Sequence, residues 1–570
     1  MKSKIFTKIT GAVIVFSVIC ALAYFVALPA AADSDVGPWY SIIPPVLAIM
    51  LAFITRRVLF SLGTAIIIGG LLTQATRFTT DAFALFKGLK TTTTCVTSSI
   101  ADIENLWILS FVVLIFIMLK ILVVSGGFNG LIKLTVKFIK GKKSTQLLTA
   151  FLGVGFFIDD YANAIIVGSA MRPLTDRFRI SREKLAFIVD ATSAPVTGLA
   201  VISTWIATEV SLFENVGNSL GINKSGYSMF FDAIWFRFYC FLMLIFVFLN
   251  ILIKVDFGPM KTAEKKANSG DISEESSTDS TGGKIGKESS LETQRMGKPA
   301  SAIFPIVGLL LFHLTALWIA GGGLEKISNG YSPASLSYWR QTISDVKSSS
   351  QILTLSSSFG ILLAVTSAVF IEKLKFKTIA KAALTSVKTS YIPFSVLILA
   401  WSLKNCCDQL GTGQFLISIL ADNISPLIFP ALVFFVASIT SFATGTSWGT
   451  MAILIPTAIP VAFALDGNSY GVTTMISLGA VLDGAIFGDH CSPISDTTIL
   501  SSIASRCDLI QHVRTQLPYS LFVAALAFLC GYLPAAAFGL RWIWTVGIAT
   551  LIMAGFLAVL ARRVKKLPNK

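Results

Sequence analysis

Two adjacent carboxylates and an amide, Asp159, Asp160 and Asn163, stand between two apolar runs, residues 145–157 and 164–171. A charged side chain at membrane depth costs about 2.5–3.5 kcal/mol on insertion scales, so such residues persist where they line a cavity, bind an ion or relay a proton. The second half of the chain has a polar break in the matching place, Ser441-Phe442-Ala443-Thr444-Gly445-Thr446-Ser447-Trp448-Gly449. Two further apolar runs are interrupted, one by Asp190-Ala191-Thr192-Ser193-Ala194-Pro195 and one by Gly488-Asp489-His490-Cys491-Ser492-Pro493 with Ser495 and Asp496 behind it.

These residue types suit a hard monovalent cation. Sodium takes oxygen ligands, which an interrupted helix supplies as free carbonyls and its flanks complete with hydroxyls and carboxylates. Asp159, Asp160 and Asn163 form the first candidate sodium set, with Thr192 and Ser193 beside them in the same half. Thr444, Thr446, Ser447, Ser492 and Ser495 could serve in the other half. Burial brings a carboxylate closer to neutrality in its titration, so one group can hold a proton or a sodium ion but not both. Asp159, Asp160, Asp190, Asp489 and Asp496 are the candidates for that shared carboxylate. Competition at one site with alternating access yields antiport without further parts. Half-helix N-termini also favour anions, which keeps a carboxylate substrate open.

Each residue has a plainer reading. One member of the Asp159–Asp160 pair could cap the following helix by accepting from its backbone N–H groups. Asp190 and Asp489 could be caps at helix breaks, and His490 a simple hydrogen-bonding group. Asp496 could pair with Arg506 or Arg514. Ser441, Thr444 and Thr446 could be small residues for close helix packing. Arg182, Glu183 and Lys184 read as surface ion pairs or lipid-facing anchors, and Glu209 as an entrance residue or solvated face. Asp483 is a weaker candidate for lining a broken span.

The elements that position these groups follow from composition. Of 570 residues, 54% are hydrophobic and only 14% charged, with a mean hydropathy of +0.75. Several apolar runs approach the ~20 residues that cross a bilayer, so the fold class is an all-α polytopic membrane protein. The net charge of +15 lies in short basic loops that set orientation and carries no nucleic-acid signal. The eight cysteines have neither zinc nor disulfide spacing. No His cluster could hold zinc, and no catalytic set faces one leaflet, so an enzyme is not expected. A channel is disfavoured because two opposed internal hairpins suit alternating access. No cofactor is expected beyond sodium ion and proton as transported or coupling ions.

In chain order, residues 1–36 read as a signal-like or first transmembrane helix. Residues 37–254 form a first half, with a re-entrant hairpin at 145–172 and a broken helix at 185–211. The hairpin reading returns Arg172, Arg177, Arg179, Arg182 and Lys184 to the cytoplasm, where the positive-inside rule wants them. Residues 255–298 are polar and read as a disordered cytoplasmic linker. Residues 299–540 repeat the plan, with a hairpin at 425–465 and a broken helix at 470–502. Residues 541–570 add a last transmembrane helix and a basic tail. This predicts about twelve crossings with two opposed hairpins and two interrupted helices in an inverted repeat, the arrangement of secondary transporters with substrate bound at the repeat interface.

The motifs Phe157-Ile158-Asp159-Asp160-Tyr161-Ala162-Asn163, Met171-Arg172-Pro173-Leu174-Thr175-Asp176, Ile180-Ser181-Arg182-Glu183-Lys184-Leu185-Ala186 and Ser203-Thr204-Trp205 resemble the NhaC-type sodium/proton antiporter family. So does Gly488-Asp489-His490-Cys491-Ser492-Pro493-Ile494-Ser495-Asp496-Thr497-Thr498. The resemblance runs from about Gly37 to about Tyr519. It implies a secondary active transporter that exchanges sodium for protons, an elevator-type motion, a homodimer and a place in the cell inner membrane as a multi-pass protein. Similar proteins include antiporters of organic acids, so sodium- or proton-coupled transport of a small organic acid or amino acid is the alternative.

Overall fold

The computed structural model describes residues 37–566, except 56, 78–79, 136–138, 271–294, 347–348, 421–422 and 540. The expected N-terminal segment and most of the polar linker lie outside the described residues. Regular structure among the described residues is helical throughout. Eight of these helices are long and apolar enough to cross a membrane, or nine if the bent pair Gly226–Ile234 and Phe238–Ile253 counts as one span. Three shorter apolar helices join them, Trp39–Ala52, Val58–Leu72 and Phe429–Thr444.

The first hairpin segment consists of helices Lys142–Gly155 and Asp160–Arg177. Asn163 Nδ2 donates to Gly153 O across the break at 2.6 Å. Ten residues of straight helix would separate these positions by about 15 Å, so the chain folds back on itself here. The second segment consists of helices Phe429–Thr444 and Ser447–Leu465, packed against each other. Its turn needs Gly445, whose φ of +67° disfavours any side chain and whose Cβ position lies 2.8 Å from Ile494 O. The two returning helices begin alike. Asp159 (φ −150°, ψ 127°) caps the first, and Thr446 (φ −149°, ψ 120°) caps the second.

The interrupted helices each pack on a hairpin. Val472–Cys491 lies against Phe429–Thr444, where a Cβ on Gly488 would sit 2.3 Å from Ser438 O. Its continuation, Asp496–Ser505, follows after residues 492–495. In the first half, Arg182–Thr197 is one continuous helix, and the interruption lies at 198–205 rather than at 190–195. Pro195 removes only the N–H that would reach Ala191 O, so the helix runs one further half-turn and ends at Gly198. The next helix, Ile206–Ser219, resumes beyond Trp205.

Two further differences from the sequence reading concern the expected linker and its neighbourhood. The stretch from 255 opens with a packed helix, Gly258–Asn268. Its Glu264 is buried and accepts from Ser181 N at 2.8 Å, Ser181 Oγ at 2.7 Å and Lys142 Nζ at 2.6 Å. Polarity along the chain concealed a helix whose partners are polar too. Lys184, expected at the surface, is 1% exposed. It pairs with Asp256 at 2.6 Å, bonds Asn250 and lies over the rings of Phe187 and Tyr519. A helix, Ala84–Ala101, also stands where no span had been expected; its run of threonines hides it from a search for apolar stretches.

Candidate functional site

The hairpin turns and helix interruptions meet. Thr204 N, in the first interruption, donates to Ile158 O in the first hairpin turn at 2.8 Å. Trp205 and Trp448 touch edge to face, with ring centroids 6.3 Å apart, joining that interruption to the second hairpin. The polar residues of both halves gather around this meeting point.

Asp159 is the cap, its Oδ1 accepting from Ala162 N at 2.7 Å. Asp160 opens the returning helix and is buried beside Asp159 and Asp489, with the Trp205 indole as a neighbouring donor. Asp489 is buried near the end of the helix Val472–Cys491, and its Oδ2 accepts from Ser447 Oγ and Thr497 Oγ1, each at 3.4 Å. Ser495 Oγ lies 2.9 Å from Thr497 Oγ1. Asp496 is exposed and accepts from Tyr161 OH at 3.4 Å. Tyr161 lies within electrostatic reach of Asp159, Asp160, Asp489 and Asp496 together. Among the described residues, no lysine or arginine pairs with any of these four carboxylates.

Asn163 is fully buried. Its amide donates to Gly153 O and, at 3.2 Å, to Thr192 O, while its Oδ1 has no hydrogen-bond partner. A buried carbonyl-type oxygen without a donor is a feature a cation would satisfy.

Other sequence candidates have their side chains turned to their own helices. Thr192 Oγ1 donates to Ile188 O at 2.7 Å, and Ser193 Oγ to Asp190 O at 2.9 Å. Thr444 Oγ1 donates to Thr440 O at 2.8 Å. Thr446 is the cap of its helix through Gly449 N at 3.3 Å. Ser492 Oγ accepts from Ile494 N at 3.4 Å in the second interruption.

Asp190 belongs to a separate buried group. It lies inside the helix Arg182–Thr197, not at a break. Its carboxylate accepts from Gln516 Nε2 at 2.8 Å and Ser501 Oγ at 3.4 Å, and lies 3.2 Å from His512 Nε2 and 4.0 Å from His490 Nε2. His490 Nδ1 in turn lies 2.9 Å from Tyr239 OH. His512 and Gln516 escaped the sequence reading because nothing local links them to Asp190, more than 300 positions away. Tyr161, Thr497 and the Trp205–Trp448 pair were likewise not singled out as site residues. Arg237 was also missed, although a lone arginine in the aromatic run Trp235-Phe236-Arg237-Phe238-Tyr239 is itself a signal.

Comparison with known proteins bears on what such an arrangement serves. Residues 196–534 match the family described as the Na+/H+ antiporter family. An uncharacterized protein of Haemophilus influenzae is 31% identical over 491 residues, covering 85% of this chain and 88% of its own. The malate-2H(+)/Na(+)-lactate antiporter of Bacillus subtilis is 32% identical over 146 residues, 26% of this chain and 30% of its own. Among solved structures, the Alcanivorax borkumensis YdaH transporter superposes with a TM-score of 0.54 at 14% identity, over 81% of this chain and 91% of that one. At that identity the likeness is one of fold.

Proposed function

The chain belongs to the Na+/H+ antiporter family, and on that premise we propose that it exchanges sodium for protons at the carboxylates gathered between its two hairpins. It is a multi-span membrane protein of a secondary-transporter family. The observation that carries the finer reading is the convergence of Asp159, Asp160, Asp489 and Asp496 without a paired lysine or arginine. Asp160 feels the charges of Asp159 and Asp489, and Asp489 that of Asp496; like charges 4 Å apart would interact by about 4 kcal/mol at an effective dielectric near 20. Uptake of a cation relieves such repulsion, and on this reading protons and sodium ions compete for the same oxygens.

Roles within the cluster follow from the bonds. Asp159 fixes the turn through its cap. Asp160 and Asp489, one from each half, share the exchangeable cation. We assign the remaining oxygens of a sodium shell to the unpartnered Asn163 Oδ1, Ser447 and Ser495, with Thr497 and Ser447 bonded to Asp489. Alternating access then exchanges the two ions, with the hairpins re-entrant, the transport unit moving as an elevator and two copies forming a dimer in the cell inner membrane.

A second reading has a specific support, the similarity to the Bacillus subtilis malate-2H(+)/Na(+)-lactate antiporter. On that reading the same carboxylates carry the coupling ions while a small organic acid or amino acid binds alongside. Sealed proteoliposomes containing a pH dye separate the two. With an acidic lumen, sodium added outside on its own should alkalinise the lumen if simple exchange is right, and Asp160→Asn should abolish the response. A response that requires malate, lactate or an amino acid together with sodium would replace the first reading by the second. No response to any of these, with folded protein, would refute both.

A further inference from the structure

Arg237 serves three elements at once. Its Nε donates to Asp483 Oδ1 at 2.9 Å, and its Nη1 donates to Gly198 O at 3.0 Å and Glu209 Oε1 at 3.3 Å. Gly198 ends the helix Arg182–Thr197 at the first interruption, and Glu209 lies in the helix that follows it. Asp483 lies in Val472–Cys491, ahead of the second interruption. One guanidinium thus ties both interrupted helices together.

The three side chains are 0%, 1% and 0% exposed for Arg237, Glu209 and Asp483. One cation faces two carboxylates, and among the described residues no other lysine or arginine bonds either acid. A buried charge without compensation is strongly disfavoured, and uptake of a proton is the ordinary remedy. The two acids are not equivalent. Asp483 accepts from Arg237 Nε, from Tyr239 N at 2.6 Å and from Tyr532 OH at 2.8 Å. Asp483 is thus held by three donors from three different residues. Among the described residues Glu209 accepts from Arg237 Nη1 alone, at 3.3 Å, and the same nitrogen also donates to Gly198 O at 3.0 Å.

The groups surrounding Glu209 are few. Arg237 and Asp483 face it directly. Beyond them stand Tyr239 and Tyr532 on Asp483, and Cys240, whose Sγ lies 3.8 Å from Arg237 Nη2. From the helix Gly226–Ile234, Tyr227 bonds Val201 O inside the first interruption and lies 2.8 Å from His313 Nε2.

We propose that Glu209 is a proton-binding site separate from the hairpin carboxylates, and that Arg237 is the positioning residue that reports its state to the first helix interruption. With Glu209 neutral, Nη1 stays on Gly198 O and holds the end of Arg182–Thr197. When Glu209 loses its proton, its full negative charge draws Nη1 toward the carboxylate, away from Gly198 O, and loosens that hold. The transport consequence rests on the sodium/proton reading above, whereas the proton site itself does not.

The test uses the full chain in lipid and infrared difference spectra between acid and alkaline pH. The wild type is expected to show protonated-carboxyl absorption with one component that is lost from Glu209→Gln but retained in Asp160→Asn. Glu209→Gln leaves the balanced pair Arg237–Asp483, so its thermal midpoint should stay near that of the wild type, whereas Asp483→Asn should lower it clearly. Survival of that component in Glu209→Gln, or a loss of folding in Glu209→Gln equal to that in Asp483→Asn, overturns the proposal. A wild type with that component but without cation-driven proton movement would refute the exchange reading and leave the proton site standing.

Discussion

The pair Asp159–Asp160 offers a separation of cap from ion site that can be measured. Asp159 makes one cap bond, to Ala162 N at 2.7 Å. Replacing a capping Asp by Ala costs about 1 kcal/mol (0.5–2), whereas Asn caps about as well as Asp. Asp159→Ala should therefore raise the local opening of the hairpin turn roughly fivefold, since about 1.4 kcal/mol is tenfold, and Asp159→Asn should leave it almost unchanged. The turn would not collapse in either case, because Thr204 N still holds Ile158 O at 2.8 Å. Asp160 makes no cap bond, so Asp160→Asn removes one of four crowded charges and should not lower stability. Hydrogen exchange at the Ala162 amide reads the cap, the thermal midpoint reads stability and the pH-dye assay reads transport. The expected pattern is faster exchange in Asp159→Ala alone and lost transport in Asp160→Asn with an undiminished midpoint. Equal destabilisation by Asp159→Asn and Asp159→Ala would refute the cap assignment. Normal cation-driven proton movement by Asp160→Asn would refute the site.

Three other expectations follow from packing and buried polar contacts. A Cβ on Gly153 would fall 1.9 Å from Thr192 Oγ1, so Gly153→Ala should cost about 1–3 kcal/mol by overpacking, and adding Thr192→Ala should recover part of it in a double-mutant cycle of unfolding midpoints. Lys184→Met removes the cation paired with Asp256 at 2.6 Å; breaking a fully buried pair costs about 3–5 kcal/mol, and somewhat less is expected here because the Asp256 side chain is 19% exposed, a loss that an unfolding titration in detergent would register, while a midpoint unchanged from wild type would contradict the pairing. Glu264→Ala removes three polar contacts to Ser181 and Lys142; at roughly 1 kcal/mol each, the helix Gly258–Asn268 should become markedly more accessible to limited proteolysis, with the transmembrane core still protected.

What could be read along the chain was the set of places where an apolar run is broken. A polar group inside hydrocarbon is costly enough that its presence marks a site, and this signal is local. It marked the breaks that the fold places at 156–159 and 445–446, the polar stretch that contains the 492–495 break, and Asp159, Asp160, Asp489 and Asp496, which the fold brings to Tyr161. It also indicated that one of Asp159 and Asp160 would be a cap, without choosing between them; the choice depends on which carboxylate the folded turn points at Ala162 N.

What the chain alone could not decide were partnerships between distant positions. Arg237 and Asp483 are 246 residues apart, and Asp190 and Gln516 are 326 apart; no periodicity or spacing encodes such pairs. Glu209 and Lys184 look like surface charges because the sequence records their type but not their burial. Polarity similarly disguised the helix Gly258–Asn268, whose anchor is a carboxylate on a serine and a lysine. The cost of a lone polar group in an apolar segment is a property of that segment, so sequence determined where chemistry is held. The remedy for that cost is a partner brought in by folding, so only the tertiary structure decided which of those groups, among the described residues, have partners and which do not.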